Sequence, residues 1–307
     1  MTDPIRISHS DIAQWLRCRR LFDWQYRLEF MTEEKLWGPR ACGFRVHAAL
    51  EAFHKTGEHP VDVHQRLGER DVAIVTAMGA PGWAIDELYS DMVIGRNCCS
   101  AYYDWTVDEG PYDGYDIEPE VTLEAPILGG RVILIGKVDL KLTRRSDGWI
   151  AVDDFKTASA SSRTNIMANL EKSYQHYVYQ VLMALNFPET VIGEALYTVI
   201  WKMKNPTRSS FPLVERIRVP GLASSLPIKK LQIEEIVCDM LEFSQRAGAQ
   251  ALDPSAYPTP ADSCRWCDMR HPCGLADENP AGAVSLLMTE YRHGPRHARY
   301  LPVGEEL

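Results

Sequence analysis

Two aspartates and a lysine within residues 136–156 have the types and the spacing that metal-assisted chemistry needs. Alternating apolar and polar residues predict a β-hairpin with an Asp-Gly turn at 147–148. Pairing about this turn would place Asp139 nearly opposite Asp154. Two such carboxylates repel each other unless a cation lies between them, and Mg²⁺ and Mn²⁺ prefer oxygen ligands. Lys156, on the face of Asp154, could orient a water molecule or stabilise an anionic transition state.

The alternative interpretation is a surface hairpin with ordinary charges, because an Asp…Asp-x-Lys pattern is weak by itself. The wider pattern is G-x-V-D at residues 136–139 and D-x-K-T at 154–157. It resembles the PD-(D/E)XK nuclease superfamily, and its RecB-like branch in particular. The resemblance implies metal-dependent hydrolysis of DNA phosphodiester bonds. It also implies that the main-chain carbonyl of Phe155 is a metal ligand.

A histidine precedes this hairpin, on a helix predicted over residues 43–55. His47 lies beside an apolar stripe, so a half-buried structural histidine is the simpler interpretation. However, the pattern G-x-x-V-H-x-x-L-E, from Gly43 to Glu51, resembles the first motif of RecB-like nucleases. There the histidine is a metal ligand, and imidazole suits Mn²⁺ better than Mg²⁺.

A further helix is predicted over residues 171–186, after the D-x-K strand. Gln175 and Tyr179 are one turn apart and share a face. An amphipathic helix packed on the sheet would explain the apolar positions. The Q-x-x-x-Y pattern also resembles the RecB-family helix motif, which implies that both side chains position Lys156 or the DNA backbone near the metal.

Three cysteines in the segment CRWCDMRHPC form a second candidate site. Cys264, Cys267 and Cys273 are close together in an irregular, Pro-containing stretch, which strongly suggests metal binding. A fourth ligand must come from elsewhere, and Cys18 is the candidate. Spacing alone leaves open a Cys₄ zinc site, or a Cys₃His site that uses His271.

One cysteine upstream and three downstream resembles the iron–sulfur subset of RecB-like nucleases. AddB-type helicase-nucleases and the stand-alone CRISPR-associated RecB-like exonucleases share this arrangement. The resemblance implies a 4Fe-4S cluster that joins the N-terminal helix to the C-terminal segment. Because such a cluster closes almost the whole chain into a loop, its binding energy would also be folding energy.

Hydrophobic periodicity predicts the remaining elements. The predicted helices cover residues 6–28, 43–55, 84–105, 171–186 and 228–246, and the predicted strands outside the hairpin cover 117–125, 195–201 and 213–219. Ser8 and Asp11 form a capping box at the start of the first helix, which contains Cys18. Residues 57–82 carry little signal, 159–169 read as a mobile loop, and 252–262 read as a Pro-rich linker.

These elements predict an α/β, restriction-endonuclease-like core, in which a mixed central sheet is flanked by helices. We expect an N-terminal helix at 1–42, the nuclease core at 43–250, the three-cysteine segment at 251–278 and a tail at 279–307. The tail is basic in its middle, and is either a DNA-contacting arm or partly disordered.

Composition places limits on the partners. The chain has 307 residues and a formal net charge of −9, so DNA would have to follow local basic stretches rather than a uniformly positive surface. No apolar run reaches the roughly 18 residues of a membrane span, and no signal peptide is present, which predicts a cytoplasmic protein. Eight cysteines without a secretory signal suggest thiols or metal ligands rather than disulfides.

The function predicted from these features is a metal-dependent deoxyribonuclease, an exonuclease acting on single-stranded DNA or DNA ends. A DNA-binding adaptor that has lost its chemistry, or a zinc-stapled structural protein, are the alternatives. No Walker A motif is present, so any helicase would be a separate partner, as would recombination or CRISPR-adaptation proteins. Oligomeric state, polarity and RNA activity are not written in the sequence.

Overall fold

The computed structural model describes residues 4–32, 35–170, 173–206, 212–219, 223–247, 252, 256–258, 264–265 and 267–294. The described residues form two compact units. The terminal unit is drawn from residues 1–34, 124–136 and 227–307, and the sheet unit from 35–123 and 137–226.

A mixed sheet organises the sheet unit. Its strands are β3 (Tyr115–Ile127), β4 (Val132–Arg144), β5 (Ile150–Ser159), β6 (Ile192–Lys202) and β7 (Val214–Val219). They run in the order β4-β5-β6-β7, and β3 also pairs with β4. β4 and β5 are antiparallel, β5 and β6 parallel, and β6 and β7 antiparallel. The predicted hairpin is therefore confirmed, with Gly148 at a φ of 72° in its turn.

Three helices pack with one another beside this sheet. They are α3 (Pro39–Thr56), α4 (Pro60–Ala77) and α5 (Gly82–Glu109). Proline at the first position and Gly57 at a φ of 75° after the last explain the ends of α3. A core joins Val46 and Leu50 of α3 to Cys99 of α5 and to Phe155 of β5. Cys42 and Cys98 are also buried, as expected for structural thiols.

The weak signal over residues 57–82 conceals helix α4. Its buried positions include Pro60, Gly68, Asp71 and a fully buried His64, which interrupt an apolar stripe. Gly68 lies close to α5, since an added Cβ would be 2.6 Å from a Met92 side-chain atom and the methionine would have to move. Polar and small residues at a tight helix contact thus hide the helix from a hydrophobic-pattern analysis.

The predicted loop at 159–169 is wrong over most of its length. Residues 160–162 form a 3₁₀ turn, and α6 (Arg163–Leu170) follows it. Helix α7 (Tyr174–Asn186) then begins after Ser173, whose hydroxyl accepts a hydrogen bond from the main-chain N–H of Gln175. The order strand, helix, helix returns the chain to parallel strand β6.

The terminal unit begins with an unpredicted strand. β1 (Ile5–Ser8) pairs in parallel with the first part of β4, and α1 (His9–Arg17) follows. The predicted capping box of Ser8 and Asp11 is confirmed. Cys18 does not lie inside a continuous helix, because its φ of −164° and ψ of 115° separate α1 from α2 (Arg19–Phe22), and a π-turn follows at Asp23–Arg27.

The described part of the predicted tail, residues 279–294, is regular. The remaining elements are β2 (Phe30–Met31), α8 (Leu226–Ala247), α9 (Arg270–Leu275), α10 (Pro280–Glu290) and β8 (Arg292–His293). β2 and β8 pair antiparallel. Most of the predicted linker at 252–262, and the tail beyond 294, lie outside the described residues. None of the described helices is long and apolar enough to span a bilayer.

The contact between α4 and α5 makes a first prediction. A Cβ at Gly95 would lie 2.1 Å from Nε2 of His64, which is fully buried. We expect Gly95→Ala to lower the free energy of unfolding by about 1–3 kcal/mol, because the buried imidazole or the helix itself would have to shift to accommodate the methyl group. Urea denaturation followed by circular dichroism measures this change.

Gly82→Ala is the matched control. Gly82 is the first residue of the same helix, α5, and nothing lies within 4 Å of an added Cβ there. Adding His64→Ala to the Gly95 variant should restore part of the lost stability. Equal effects at Gly95 and Gly82 would contradict the proposed contact.

Candidate active site

The two predicted carboxylates come together on β4 and β5. The paired register ends at Leu140 and Asp153, so Asp139 and Asp154 lie one residue beyond the last pair, on neighbouring strands. Asp154 is buried, with its side chain 5% exposed, and Asp139 is 17% exposed. The main-chain N–H of Phe155 donates a hydrogen bond to Oδ2 of Asp139 at 2.6 Å. This bond fixes the Asp139 side chain to the strand that carries Asp154.

Lys156 and His47 supply positive charge to these carboxylates. Lys156 forms an ion pair with Oδ2 of Asp154, and its ammonium lies 5.7 Å from the ring centroid of Tyr197. Nδ1 of His47 lies 3.7 Å from Oδ2 of Asp139. The His47 ring also meets Phe155 edge-on, with the centroids 6.1 Å apart. Helix α3 therefore delivers its histidine to the hairpin, as the motif order predicts.

Gln175 and Tyr179 of α7 hold the other oxygen of Asp154. Nε2 of Gln175 donates to Oδ1 of Asp154 at 2.7 Å and to the Tyr179 hydroxyl at 3.0 Å. That hydroxyl donates to the carbonyl of Lys137 at 2.8 Å and lies 3.3 Å from the same Oδ1. Both side chains thus act on the carboxylate rather than on Lys156 directly. The structure brings together all of the residues predicted for this site.

The charges of the site are strongly coupled. Burial raises the pKa of Asp154 to about 6, with the Asp139 carboxylate adding to the shift and Lys156 opposing it. Burial also acts to raise the pKa of Asp139, but His47 and Lys156 outweigh it and lower that pKa. For His47, burial opposes protonation, yet Asp139 raises the pKa. The arrangement therefore favours one further positive charge between the two carboxylates.

A divalent cation fits the chemistry of this donor set. Carboxylate oxygens and an imidazole nitrogen converge at the hairpin, and one of the buried carboxylates is costly to ionise without a counter-charge. As they stand, no three His, Cys, Asp or Glu side chains among the described residues are arranged to enclose a metal ion. Asp139 and Asp154 face His47 and Lys156 instead.

Comparison with known proteins decides the family. A sequence model of the PD-(D/E)XK nuclease superfamily matches residues 6–274, which is most of the chain. The chain belongs to the PD-(D/E)XK nuclease superfamily. Its α/β fold and mixed sheet are consistent with a restriction-endonuclease-like core, and membership makes it a nuclease by family. No curated protein matches this PD-(D/E)XK chain.

Solved structures agree at the level of the fold. A crystal structure of a candidate exonuclease from Eubacterium rectale matches with a TM-score of 0.52 and 13% sequence identity, and the match covers 87% of each chain. A second structure, named SSO0001, has a TM-score of 0.39 at 13% identity and covers 92% of this chain and 88% of its own. At 13% identity the first match shows a shared fold and no more. The TM-score of the second match is too low to show a shared fold.

One charged network behind the PD-(D/E)XK site was missed by the sequence analysis. Asp153 is fully buried on the opposite face of β5 from Asp154. Its carboxylate accepts a hydrogen bond from the Tyr112 hydroxyl at 3.0 Å and from Arg216 at 2.7 Å, and lies 2.9 Å from the Thr198 hydroxyl. Burial raises the pKa of Asp153, although Arg216 opposes the shift. The signal was available, because Asp153 alternates with apolar residues and therefore needs a buried partner.

A strained glutamate also lies beside the nuclease site. Glu120 of β3 has a φ of 56°, although it is not a glycine. Its carboxylate pairs with Lys137, and burial raises its pKa, with Asp139 and Glu51 adding to the shift. Neither Glu120 nor Lys137 was predicted, because a local backbone bend of this kind leaves no pattern in the sequence.

The cysteines lie in the terminal unit. Cys18, Cys267 and Cys273 pack against one small core that contains Leu21 and Trp24. Burial raises the pKa of Cys267, and negative charge on Cys18 or Cys273 adds to the shift. Cys264 is exposed and forms a turn with Cys267. The main-chain N–H of Cys267 donates a hydrogen bond to the carbonyl of Cys264 at 3.3 Å.

Basic side chains fix this cysteine segment in place. Arg20 donates to the Cys273 carbonyl at 3.3 Å and forms an ion pair with Asp277 at 2.6 Å, and its Nη1 lies 3.6 Å from Sγ of Cys273. His271, the alternative zinc ligand, lies on the short helix α9. The structure thus gathers the ends of the chain around the cysteines, without closing a metal site among the described residues.

The buried pair of Asp153 and Arg216 makes a second prediction. Arg216→Ala leaves a fully buried carboxylate without its cation, so we expect a loss of about 3–5 kcal/mol in the free energy of unfolding. Urea denaturation of the purified protein measures the loss.

Arg218→Ala, two residues along β7, is the control. Its side chain is 67% exposed and pairs with Glu194, so the same change should cost less than about 1 kcal/mol. If both variants lose the same stability, the buried network is not the reason for the Arg216 effect.

Proposed function

We propose that the protein is a metal-dependent DNA exonuclease that acts on single strands or DNA ends, in DNA processing, recombination or repair. The observation that carries the proposal is the convergence of Asp139, Asp154, Lys156 and His47 in a PD-(D/E)XK chain. Family membership and the complete set of two carboxylates, lysine and histidine make a silent adaptor the weaker hypothesis.

Four groups would hold the metal: His47, Asp139, Asp154 and the main-chain carbonyl of Phe155. When bound, Mn²⁺ or Mg²⁺ would polarise the scissile phosphate and lower the pKa of a water molecule. Asp154 must be ionised to take part. Its pKa of about 6 means that this carboxylate is mostly charged at neutral pH even before a cation arrives.

The other site residues act on these ligands and on the substrate. Lys156 carries the positive charge that offsets negative charge on the phosphate in the transition state. Gln175 and Tyr179 orient Asp154 by holding Oδ1, which leaves Oδ2 directed to Lys156. Tyr179 also ties the Lys137 carbonyl of β4 to α7, so the helix and the hairpin keep one geometry.

The third prediction concerns catalysis. Asp154→Asn and Lys156→Ala should each lower the rate of DNA cleavage at least about a hundredfold, because each removes a charge that acts on the reacting phosphate. Digestion of end-labelled single strands and duplexes with Mn²⁺, Mg²⁺ or EDTA measures the rate and the end preference.

Asp147→Asn is the matched control, because Asp147 is an exposed carboxylate in the turn of the same hairpin. It should cleave as the wild type does. Undiminished cleavage by Asp154→Asn and Lys156→Ala would refute the site. A wild-type protein that binds DNA but leaves it intact with every metal would instead support the adaptor hypothesis.

For the terminal unit we propose a 4Fe-4S cluster held by Cys18, Cys264, Cys267 and Cys273. Support comes from the resemblance of the spacing and from the shared core against which three of these cysteines pack. The cluster would join residues 1–42 to residues 251–278 around a nuclease core at 43–250. Zinc bound by the same thiolates is the competing occupant.

The fourth prediction tests the cluster. Protein purified without oxygen should be brown, absorb broadly near ~400 nm and contain about four iron atoms per chain. Cys18→Ser should lower the iron content and the solubility, whereas Cys238→Ser should change neither. Cys238 is the control because it lies on α8 and outside the predicted ligand set. Colourless protein loaded with zinc would contradict the iron–sulfur proposal.

A further inference from the structure

The solvent face of α3 leads directly to the candidate active site. Arg40, Phe44, His47 and Glu51 follow one another at intervals of four, three and four residues, so their side chains lie along one stripe of the helix. The structure leaves Arg40 and Phe44 exposed and His47 half-buried. A ligand that lies along this stripe would therefore reach His47 and the neighbouring carboxylates of Asp139 and Asp154.

Phe44 is the unusual member of the stripe. Its side chain is 54% exposed, and the Arg40 guanidinium lies over its ring, 5.3 Å from the centroid. A single exposed apolar residue is ordinary and would support no conclusion by itself. Here, however, the ring lies one turn before a candidate metal ligand, and a cation already lies on its face.

Two lysines lie near the first turn of α3 and the neighbouring helix α5. Nζ of Lys202 donates to the carbonyl of Pro39 at 3.1 Å, and Nζ of Lys204 donates to the Ser90 hydroxyl at 3.2 Å. Asn97 of α5 donates to the carbonyls of residues 203 and 204, which holds this basic segment against the helix. The first residue of α3 and the end of β6 are thus in contact.

These cations differ from the others around the site. Lys137, Lys141 and Lys156 are each paired with a carboxylate. By contrast, no carboxylate among the described residues lies within ion-pair distance of Arg40, Lys202 or Lys204. The charge of Lys202 does act on the Asp91 carboxylate from beyond ion-pair distance. In a protein with a net charge of −9, three cations without an ion-pair partner among the described residues, near the first turn of α3, favour an anionic ligand.

Helix α3 also contacts β5 next to the site. Gly43 lies so close to β5 that an added Cβ would be 2.9 Å from Oγ1 of Thr157, the residue after Lys156. The register places Ser159 beside Lys202, three residues beyond Lys156. Phosphates bound by the cations would therefore lie next to the ends of β5 and β6, where the candidate catalytic lysine is located.

From this geometry we infer that Arg40 and Phe44 form a platform on which a base of single-stranded DNA stacks, while Lys202 and Lys204 contact its phosphates. The inference rests on the proposed function and names its substrate. Stacking needs an unpaired base, because the faces of paired bases are covered inside a duplex. The platform therefore makes single strands, or frayed ends, the preferred ligand.

Binding in EDTA tests the platform apart from catalysis. Fluorescence anisotropy with a labelled dT oligonucleotide should show about tenfold weaker binding for Phe44→Ala, and a similar loss for Phe44→Leu. Phe44→Trp should bind as the wild type does, because it keeps an aromatic face. An abasic strand of the same length should bind the wild type and Phe44→Ala equally.

Arg40→Gln should weaken binding of the dT strand, because the platform loses the cation that lies over the Phe44 ring. Lys202→Gln should instead lower the slope of the salt dependence by about 0.7, because one phosphate contact is lost. Arg144→Gln is the matched control. Its guanidinium also lies over an aromatic ring, 4.7 Å from the centroid of Trp149, but it is paired with Asp147 at the hairpin turn. It should leave affinity and salt slope unchanged.

The results separate this inference from the proposed function. If Phe44→Ala binds single strands as the wild type does, or loses as much affinity for the abasic strand, the platform is refuted even where the wild type cleaves DNA. Equal affinity of the wild type for duplex and single strand would also overturn it. If the stacking loss is seen while Mn²⁺ produces no cleavage, the platform stands and the exonuclease proposal fails.

Discussion

Electrostatic repulsion between Asp139 and Asp154 is the constraint on which the site depends. The register of β4 and β5 sets them on neighbouring strands, in a place where little water can screen their charges. Three separate elements respond to this: α3 brings His47, β5 brings Lys156, and α7 brings hydrogen-bond donors to Oδ1. If the register of the hairpin slipped by one residue, one carboxylate would move to the other face of the sheet. His47, Lys156 and the donors of α7 would then no longer face both carboxylates.

The same strand carries a second buried charge on its other face. Consecutive residues Asp153 and Asp154 point in opposite directions, so β5 holds an anion on each side of the sheet. On the face of Asp153, the counter-charge and the hydrogen bonds come from Arg216, Tyr112 and Thr198. On the face of Asp154, burial raises the pKa to about 6, and Lys156 is the ion-pair partner. Burial is costly for both carboxylates, but Asp154 shares its face with Asp139 and His47, where a cation would add to the compensation.

Much of this arrangement could be predicted from local patterns. Alternation fixed the two faces of β5, the Asp-Gly turn set the hairpin, and helical spacing placed Gln175 beside Tyr179. The features that the sequence did not predict depend on contacts between residues far apart in the chain. Strand β1 forms only because β4 pairs with it, and α4 is hidden because its buried positions are polar or small. The partners of Asp153 come from residues 112, 198 and 216, and no local pattern connects them to it.

A net charge of −9 conflicts with a nucleic-acid ligand only if the charge is averaged over the whole protein surface. At physiological salt, charges farther apart than about 8 Å are largely screened, so a phosphate responds to the nearest side chains. Many of the acidic groups are already engaged by arginine or lysine in ion pairs. An acidic chain nevertheless gains less from releasing counterions than a basic one does. Contacts that salt does not weaken, such as a base on an aromatic ring, then have to supply more of the affinity. In the inferred binding mode, the exposed ring of Phe44 supplies such a contact.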